Sequence, residues 1–209
     1  MFPAVLALAG LGFLAVMAGI KRRAAGEVIS YDPEAERQVA YVATTTKGKS
    51  LSPVVVALAE KWAKKRGVPA REIVATIIVE SGGRAGAKSD NPTKEDSRGL
   101  MQVNINTWKP LLVQNGMTVE DLYDPEKNIM IGSYIYAQYR KNVQALITQS
   151  GVKQSAPLDV LTRLYYKGPK YVKDKILAGE DASHPYKDAE KAINNWQIAM
   201  NTAAAVTSA

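Results

Sequence analysis

Helical periodicity dominates the sequence from Leu51 onward and limits the fold to a mostly α class. The first helix has its apolar residues three and four positions apart, on one face: Val55, Leu58, Ala59 and Trp62. Gly67 is a typical residue to end that helix, and Pro69 suits the first turn of the next one. No stretch shows the alternation typical of a strand. Residues 51–200 are therefore predicted to form one mostly α domain without internal repeats.

Further helix signals follow along the same region. Asp124 is a good N-cap for a long helix, with Pro125 and Glu126 in its first turn. Three later segments with helical periodicity start at Pro157, Pro169 and Pro185. With 209 residues, 46% of them hydrophobic, the chain can bury one good core but hardly two large ones. Residues 201–209 are predicted to be a C-terminal tail.

The N-terminal segment differs in kind from the rest. Residues 4–20 contain no charged or strongly polar residue, and Lys21, Arg22 and Arg23 follow at once. As a helix, the apolar run would be roughly 30 Å long, about one bilayer core. Residues 1–23 are therefore predicted to be a transmembrane anchor that contacts the membrane through residues 4–20. Residues 24–50 are predicted to be a linker.

A cleaved signal peptide is the alternative for the same segment, since Val16 and Ala18 are small enough to precede a cleavage point. It lacks a basic region before the apolar run and has three cations behind it, which is the wrong order for export. The positive flank favours keeping the rest of the chain on the inner side of the membrane.

Composition limits the partners and the kinds of functional site that the chain can have. The chain has 27 Lys and Arg against 20 Asp and Glu, so nucleic acid, acidic lipid and acidic glycan are all candidate partners. The absence of cysteine excludes disulfides, thiolate metal sites and cysteine nucleophiles. The one histidine, His184, lies in a predicted surface turn. No metal site and no cofactor are expected.

Glu80 is the most informative residue of the helix predicted over about 70–80. Ile73, Ile77 and Glu80 share one stripe of that helix, and Gly82 and Gly83 then end it. Burial and the negative end of the helix dipole both predict a raised pKa for Glu80, as a general acid requires. The alternative is a glutamate at the core edge that pairs with a Lys or Arg, and periodicity alone favours that alternative.

Three later motifs favour a catalytic role for Glu80 over a structural one. They are "SRGLMQV" (97–103), "LYDPEKNIMIG" (122–132) and "YYKGPKYV" (165–172), which follow Glu80-Ser81 in order. Together these motifs resemble the catalytic domain of soluble lytic transglycosylases, relatives of goose-type lysozyme. The resemblance covers about residues 51–200. It implies a lysozyme-like α domain with a cleft for the glycan strands of peptidoglycan.

The resemblance also implies roles for individual residues. Glu80 would be the single catalytic acid and base, and Ser81 would orient the acid and the acetamido group of the substrate. The substrate-binding wall would comprise Gly99, Leu100, Met101 and Gln102, with Gln102 reaching toward Glu80 or the sugar. Tyr165 matches the family tyrosine near the acid. Tyr166 replaces the family asparagine, so its contact would differ, and a tyrosine could stack on a sugar.

The implied reaction cleaves the bond between N-acetylmuramic acid and N-acetylglucosamine and closes a 1,6-anhydro ring without water, metal or cofactor. A second acid would instead permit hydrolysis, as in goose-type enzymes. The candidates are Asp90, Glu95 and Asp96, although a solvated loop is the favoured interpretation of each. Among the tryptophans, Trp108 is the best candidate for the cleft.

The biological setting has two interpretations. The small domain favours a bacteriophage virion protein that opens the host cell envelope during delivery of the genome, with other virion proteins or DNA as partners. The N-terminal segment, whose charges are in the wrong order for an export signal, favours the same interpretation. A bacterial enzyme anchored in the inner membrane and facing the periplasm is the alternative. A third hypothesis, from a different class, is a non-catalytic conduit protein that keeps a lysozyme-like scaffold and passes DNA.

Overall fold

The computed structural model describes residues 51–89 and 95–207. The α-helices of this part are α1 (Pro53–Arg66), α2 (Ala70–Ser81), α3 (Ile105–Gln114), α4 (Pro125–Ser150), α5 (Leu158–Lys167), α6 (Pro169–Leu177) and α7 (Ala189–Thr207). A 3₁₀ helix covers Glu120–Tyr123, and two short strands, β1 (Ser97–Arg98) and β2 (Val103–Asn104), pair antiparallel. The predicted mostly α fold class is confirmed for the described residues.

The predicted anchor (1–23) and linker (24–50) lie outside the described residues. Within residues 51–89 and 95–207, none of the helices has the length and apolar character that a membrane span needs.

Local sequence signals account for the helix boundaries. Gly67 and Gly82 end α1 and α2 in the left-handed conformation, with φ of 68° and 62°. The Asp124 side chain accepts a hydrogen bond from the Lys127 backbone N–H at 2.8 Å, so it caps α4 as predicted. Pro69 occupies the N-cap position of α2 and so lies just before its first turn.

Three features differ from the sequence prediction. The strands β1 and β2 have two residues each, which is too short to show alternation. Helix α3 was not predicted; it contains Pro110, and Asn104 caps it by accepting from the Thr107 N–H at 3.0 Å. Helix α7 continues to Thr207 and buries Ala203, although residues from 201 onward were expected to be a tail.

The apolar residues form two clusters. The larger one joins α1, α2 and α4–α7, with α2 and α7 in the most extensive contact. Its largest fully buried members include Ile73, Ile77, Tyr136, Leu161 and Trp196. The smaller cluster contains Val103, Ile105, Leu112, Met117, Leu122, Ile131 and Ile135. Tyr166 packs against both clusters, so it marks the seam between them.

A buried carboxylate links α2 to α4 inside the larger cluster. Glu72 is only 2% exposed, and its Oε2 accepts hydrogen bonds from the Tyr136 hydroxyl and from Arg140 Nε, each at 3.0 Å. A buried charge needs such partners to offset the loss of water. The contact fixes α2, which carries Glu80 at its other end, against the long helix α4.

Candidate active site

A cleft of about 370 Å³ opens at the seam between the two clusters. It is bounded by the end of α2, the segment before β1, β2 with the start of α3, the middle of α4 and the end of α5. Its lining includes Glu80, Glu95, Gln102, Asn104, Trp108, Tyr139, Tyr166 and Lys167. The cleft therefore combines two carboxylates, a cation, amide groups and aromatic rings.

Glu80 projects from the last turn of α2 into this cleft. Ile73 and Ile77 on the same stripe are fully buried, whereas the Glu80 side chain keeps 8% of its surface exposed. Gly82 turns the chain away directly afterwards. The predicted placement of a carboxylate at the edge of an apolar helix face is confirmed.

The electrostatic surroundings of Glu80 differ from the prediction. Arg163 Nη1 lies 2.5 Å from Glu80 Oε1, and Lys167 Nζ lies 3.4 Å from the same oxygen. Burial alone would raise the pKa of Glu80, but the charges and hydrogen bonds of Arg163 and Lys167 outweigh burial and lower it. The prediction of a raised pKa was wrong, because it omitted these two cations. The paired arrangement that the sequence left open is the one observed.

The predicted wall segment 99–102 supports the cleft mostly from behind. Leu100 and Met101 are fully buried, and Gly99 has a φ of 74°. Gln102 lines the cleft with a φ of 47°, and its Nε2 donates to the backbone oxygens of Gly99 at 2.9 Å and Ala87 at 3.2 Å. Gln102 therefore lines the cleft, but its amide N–H groups hold the loop.

Asn128 on α4 holds the same segment in place. Its Oδ1 accepts from the Met101 N–H at 2.8 Å, and its Nδ2 donates to the backbone oxygens of Leu122 at 2.8 Å and Arg98 at 3.0 Å. Asn128 is itself fully buried, and its bonds to Met101 and Leu122 form away from water, whereas the bond to Arg98 is partly buried. Asn128 of the "EKNIMIG" motif therefore holds the cleft wall in place.

Ser81 and Tyr165 lie beside the cleft and are not among its described lining residues. Ser81 is only 2% exposed. Its hydroxyl donates to the Ile77 oxygen at 3.1 Å and accepts from the Gly83 N–H at 3.2 Å. Tyr165 packs edge-on against Tyr139, with ring centroids 5.4 Å apart. Both residues support the walls in this conformation.

Tyr166, which stands where the family has asparagine, lines the cleft. Its hydroxyl donates to the Met101 oxygen at 2.8 Å, and its ring meets Tyr139 edge-on at 5.5 Å. Burial is the main cause that raises the pKa of Tyr166 far above its ordinary value, so the hydroxyl stays protonated. The substitution thus ties α5 to the 99–102 wall.

Trp108 also lines the cleft, as predicted, with its ring centroid 6.0 Å from that of Tyr139. Sugar rings bind to such aromatic faces through their apolar C–H groups. Trp196 is fully buried in the larger cluster and lies outside the cleft lining. Of these two tryptophans, Trp108 alone is placed to contact a ligand in the cleft.

Sequence reasoning missed Arg163 and Lys167. Arg163 lies on α5 between the buried residues Leu161 and Leu164, and its side chain is only 3% exposed. A cation on an apolar helix face is a signal of pairing, but the sequence does not tell which carboxylate, 83 positions away, it meets.

The three candidates for a second acid differ in where they lie. Glu95 lines the cleft, Asp96 pairs with Arg98 Nη2 at 2.8 Å, and Asp90 lies outside the described residues. Among residues 51–89 and 95–207, no three Asp, Glu or His side chains are grouped as metal ligands would be.

Comparisons with known proteins agree with this geometry. Residues 57–153 match the family described as "Transglycosylase SLT domain". Among solved structures, an inactive glutamate-to-glutamine mutant of lytic transglycosylase Slt from Pseudomonas aeruginosa matches with a TM-score of 0.54 and 19% identity. The match covers 73% of this chain and 24% of that one, so the chain spans about a quarter of its length. A comparison with curated proteins found no match. The fold is thus shared with a lytic transglycosylase, and residues 57–153 are similar to the transglycosylase SLT domain.

Proposed function

We propose that this chain is a peptidoglycan lytic transglycosylase that cleaves the β-1,4 bond between N-acetylmuramic acid and N-acetylglucosamine. The observation that carries the proposal is the position of Glu80, a nearly buried carboxylate that faces a cleft lined by aromatic and amide side chains. The family match and the fold shared with a lytic transglycosylase support it.

In the proposed reaction, protonated Glu80 donates its proton to the glycosidic oxygen, and the bond to C1 of the muramoyl sugar breaks. The acetamido group of that sugar stabilises the electron-poor C1. Glu80, now a carboxylate, accepts the proton of the C6 hydroxyl as its oxygen attacks C1. The 1,6-anhydro ring closes, Glu80 is protonated again, and one carboxyl group suffices for both steps.

The resting ion pair sets a condition on this mechanism. A carboxylate held by Arg163 and Lys167 is ionised, so Glu80 must lose part of that pairing before it can act as an acid. The ionised form that these two cations favour suits the second step, in which Glu80 acts as the base.

Hydrolysis is the second candidate reaction, because Glu95 lines the same cleft as Glu80. A second carboxylate on the opposite side could position a water for attack at C1. The proposal favours transglycosylation because Glu95 is exposed, whereas Glu80 is held by defined contacts.

The setting that we propose is local opening of the bacterial cell wall during delivery of a phage genome. The apolar run 4–20 with its basic flank supports membrane association, in the virion or in the host cell envelope. A bacterial enzyme of the inner membrane that faces the periplasm is the alternative setting. Immunoblotting of purified virions and of membrane fractions separates the two.

The test of activity is digestion of purified peptidoglycan by the full chain, by Glu80→Gln and by Glu60→Gln. Glu60 is an exposed glutamate of α1 and serves as the matched control. Mass spectrometry should find anhydromuropeptides from the wild type and from Glu60→Gln, and none from Glu80→Gln. Release of equal product by Glu80→Gln would remove the glutamate from its proposed role, and no release by any of the three would end the enzymatic proposal.

A further inference from the structure

A second cavity of about 410 Å³ adjoins the cleft, and we call it the basic cavity. Its charged lining residues are Arg163, Lys167, Lys191 and Asp188, so three cations face one carboxylate. Lys167 lines both cavities, and Arg163 reaches from the basic cavity to Glu80. The Glu80 ion pair therefore forms the partition between the cleft and the basic cavity.

Two of the residues that line the basic cavity carry buried donors that have no acceptor among the described residues. The Arg163 Nε and the Tyr186 hydroxyl are buried, and neither has a hydrogen-bond partner within the described part of the chain. Arg163 as a residue is 2% exposed, and its guanidinium carbon lies 5.6 Å from the ring centroid of Tyr166 and 5.9 Å from that of Trp196. Buried donors without acceptors are costly, so a ligand that supplies oxygen acceptors is favoured here.

The donors define the class of that ligand. A guanidinium presents a planar set of N–H groups that suits the two oxygens of a carboxylate, and Lys191 and the Tyr186 hydroxyl add further donors. An uncharged sugar would leave the excess positive charge uncompensated. The muramoyl sugar of peptidoglycan carries a carboxylate on its lactyl ether or, when substituted, on the attached peptide.

We propose that the basic cavity binds a carboxylate carried by the muramoyl residue and that this carboxylate takes Arg163 and Lys167 away from Glu80. The inference rests on the proposed function, because it names the part of the glycan that this cavity would recognise. A carboxylate at Arg163 and Lys167 competes with Glu80 for the same donors. Glu80 can then take up the proton that the first step of the reaction requires.

Other ionisable groups around Glu80 do not replace this effect. Tyr166 from α5 stays protonated, Glu95 of the cleft is exposed, and Asp188 of the basic cavity is exposed as well. The bound anion is therefore the group that can redistribute the two cations.

The test observes binding and the state of Glu80 directly, without reference to product. The full chain is labelled with ¹³C at the glutamate carboxyl groups, and the Glu80 signal is assigned by its loss in Glu80→Gln. The probes are N-acetylmuramic acid, N-acetyl-L-alanyl-D-glutamate and uncharged N-acetylglucosamine. The first two distinguish the lactyl from the peptide carboxylate, and the third lacks a carboxylate.

At least one carboxylate probe should move the Glu80 signal toward the protonated form, and N-acetylglucosamine should not. Lys191→Gln should weaken the binding of that probe roughly fivefold, the upper end for an exposed charge pair. Tyr186→Phe should also weaken it, because it removes one donor and keeps the ring. Lys173→Gln, an exposed lysine of α6 outside the cavity lining, should leave the affinity unchanged.

Two results would overturn the proposal. One is an unchanged Glu80 signal with both carboxylate probes, and the other is an equal effect of Lys191→Gln and Lys173→Gln on their affinity. Failure of the proposed function has a different signature, which is the absence of anhydromuropeptides even when a carboxylate probe binds and protonates Glu80.

Discussion

At the scale of single residues, Glu80 shows how burial and charge compete. Its apolar helix face favours the neutral acid, whereas Arg163 and Lys167 favour the carboxylate and prevail in this conformation. The apolar stripe could be predicted from the spacing of Ile73, Ile77 and Glu80. The direction of the pKa shift could not, because it depends on cations brought in by α5 from more than eighty positions away.

Replacement of Glu80 by glutamine should destabilise the fold at neutral pH by roughly 2 kcal/mol, since Arg163 loses its counter-charge but keeps an oxygen acceptor. The folded-state pKa of Glu80 is lowered, so the ion-pair contribution is complete above the ordinary glutamate pKa and is lost as the pH falls through the folded-state value. The difference between wild type and Glu80→Gln should therefore shrink in acid. Urea unfolding across a pH series measures it, and a difference that grows in acid would contradict the assignment.

The buried carboxylate of Glu72 allows a second test. Tyr136→Phe removes the hydroxyl that donates to Glu72 Oε2 at 3.0 Å and keeps the ring, which stacks on Trp196 with centroids 6.5 Å apart. The free energy of unfolding should fall by about 1–2 kcal/mol, because a buried carboxylate loses one donor. Tyr171→Phe is the control, since that side chain is 55% exposed and the change should be near zero. Equal effects in denaturant unfolding would show that the hydroxyl does not matter.

At the scale of secondary structure, what could be predicted depends on whether the signal is local. Gly67, Gly82 and Asp124 end or begin helices through their own backbone or side-chain geometry, and these boundaries are confirmed. The segment that includes β1 and joins it to β2 is held by hydrogen bonds with Asn128 on α4. Such contacts between distant parts of the chain leave no periodic trace, so the sequence predicts no strand there.

The close approach of α4 to this segment predicts the effect of a methyl group at Gly99. Gly99 has a φ of 74°, and a Cβ there would lie 2.1 Å from the Leu122 oxygen and 2.2 Å from Asn128 Nδ2. Gly99→Ala should therefore lower stability by roughly 3 kcal/mol and displace the cleft wall. Gly86→Ala is the matched control, because a Cβ at that position would have nothing within 4 Å. Thermal unfolding of both variants decides the point, and equal midpoints would refute the close packing.

At the scale of the whole molecule, the site is a product of the seam between the two apolar clusters. Glu80, Gln102 and Tyr166 were all predicted site residues, and the structure places them in one cleft with Trp108. Ser81, Leu100, Met101 and Tyr165 were predicted to bind substrate, and the structure places them behind or beside the walls. Order along the chain identifies which motifs cooperate, but only packing decides which side chains face the opening.

The most direct measurement of the central claim, that one carboxyl group performs both steps, is product analysis after digestion in water enriched in heavy oxygen. Wild type and Glu95→Gln should both release muramoyl ends that are lighter by one water than reducing ends and carry no heavy oxygen at C1. Heavy-oxygen reducing ends from the wild type, reduced or lost in Glu95→Gln, would contradict the claim and make Glu95 the second acid of a hydrolase.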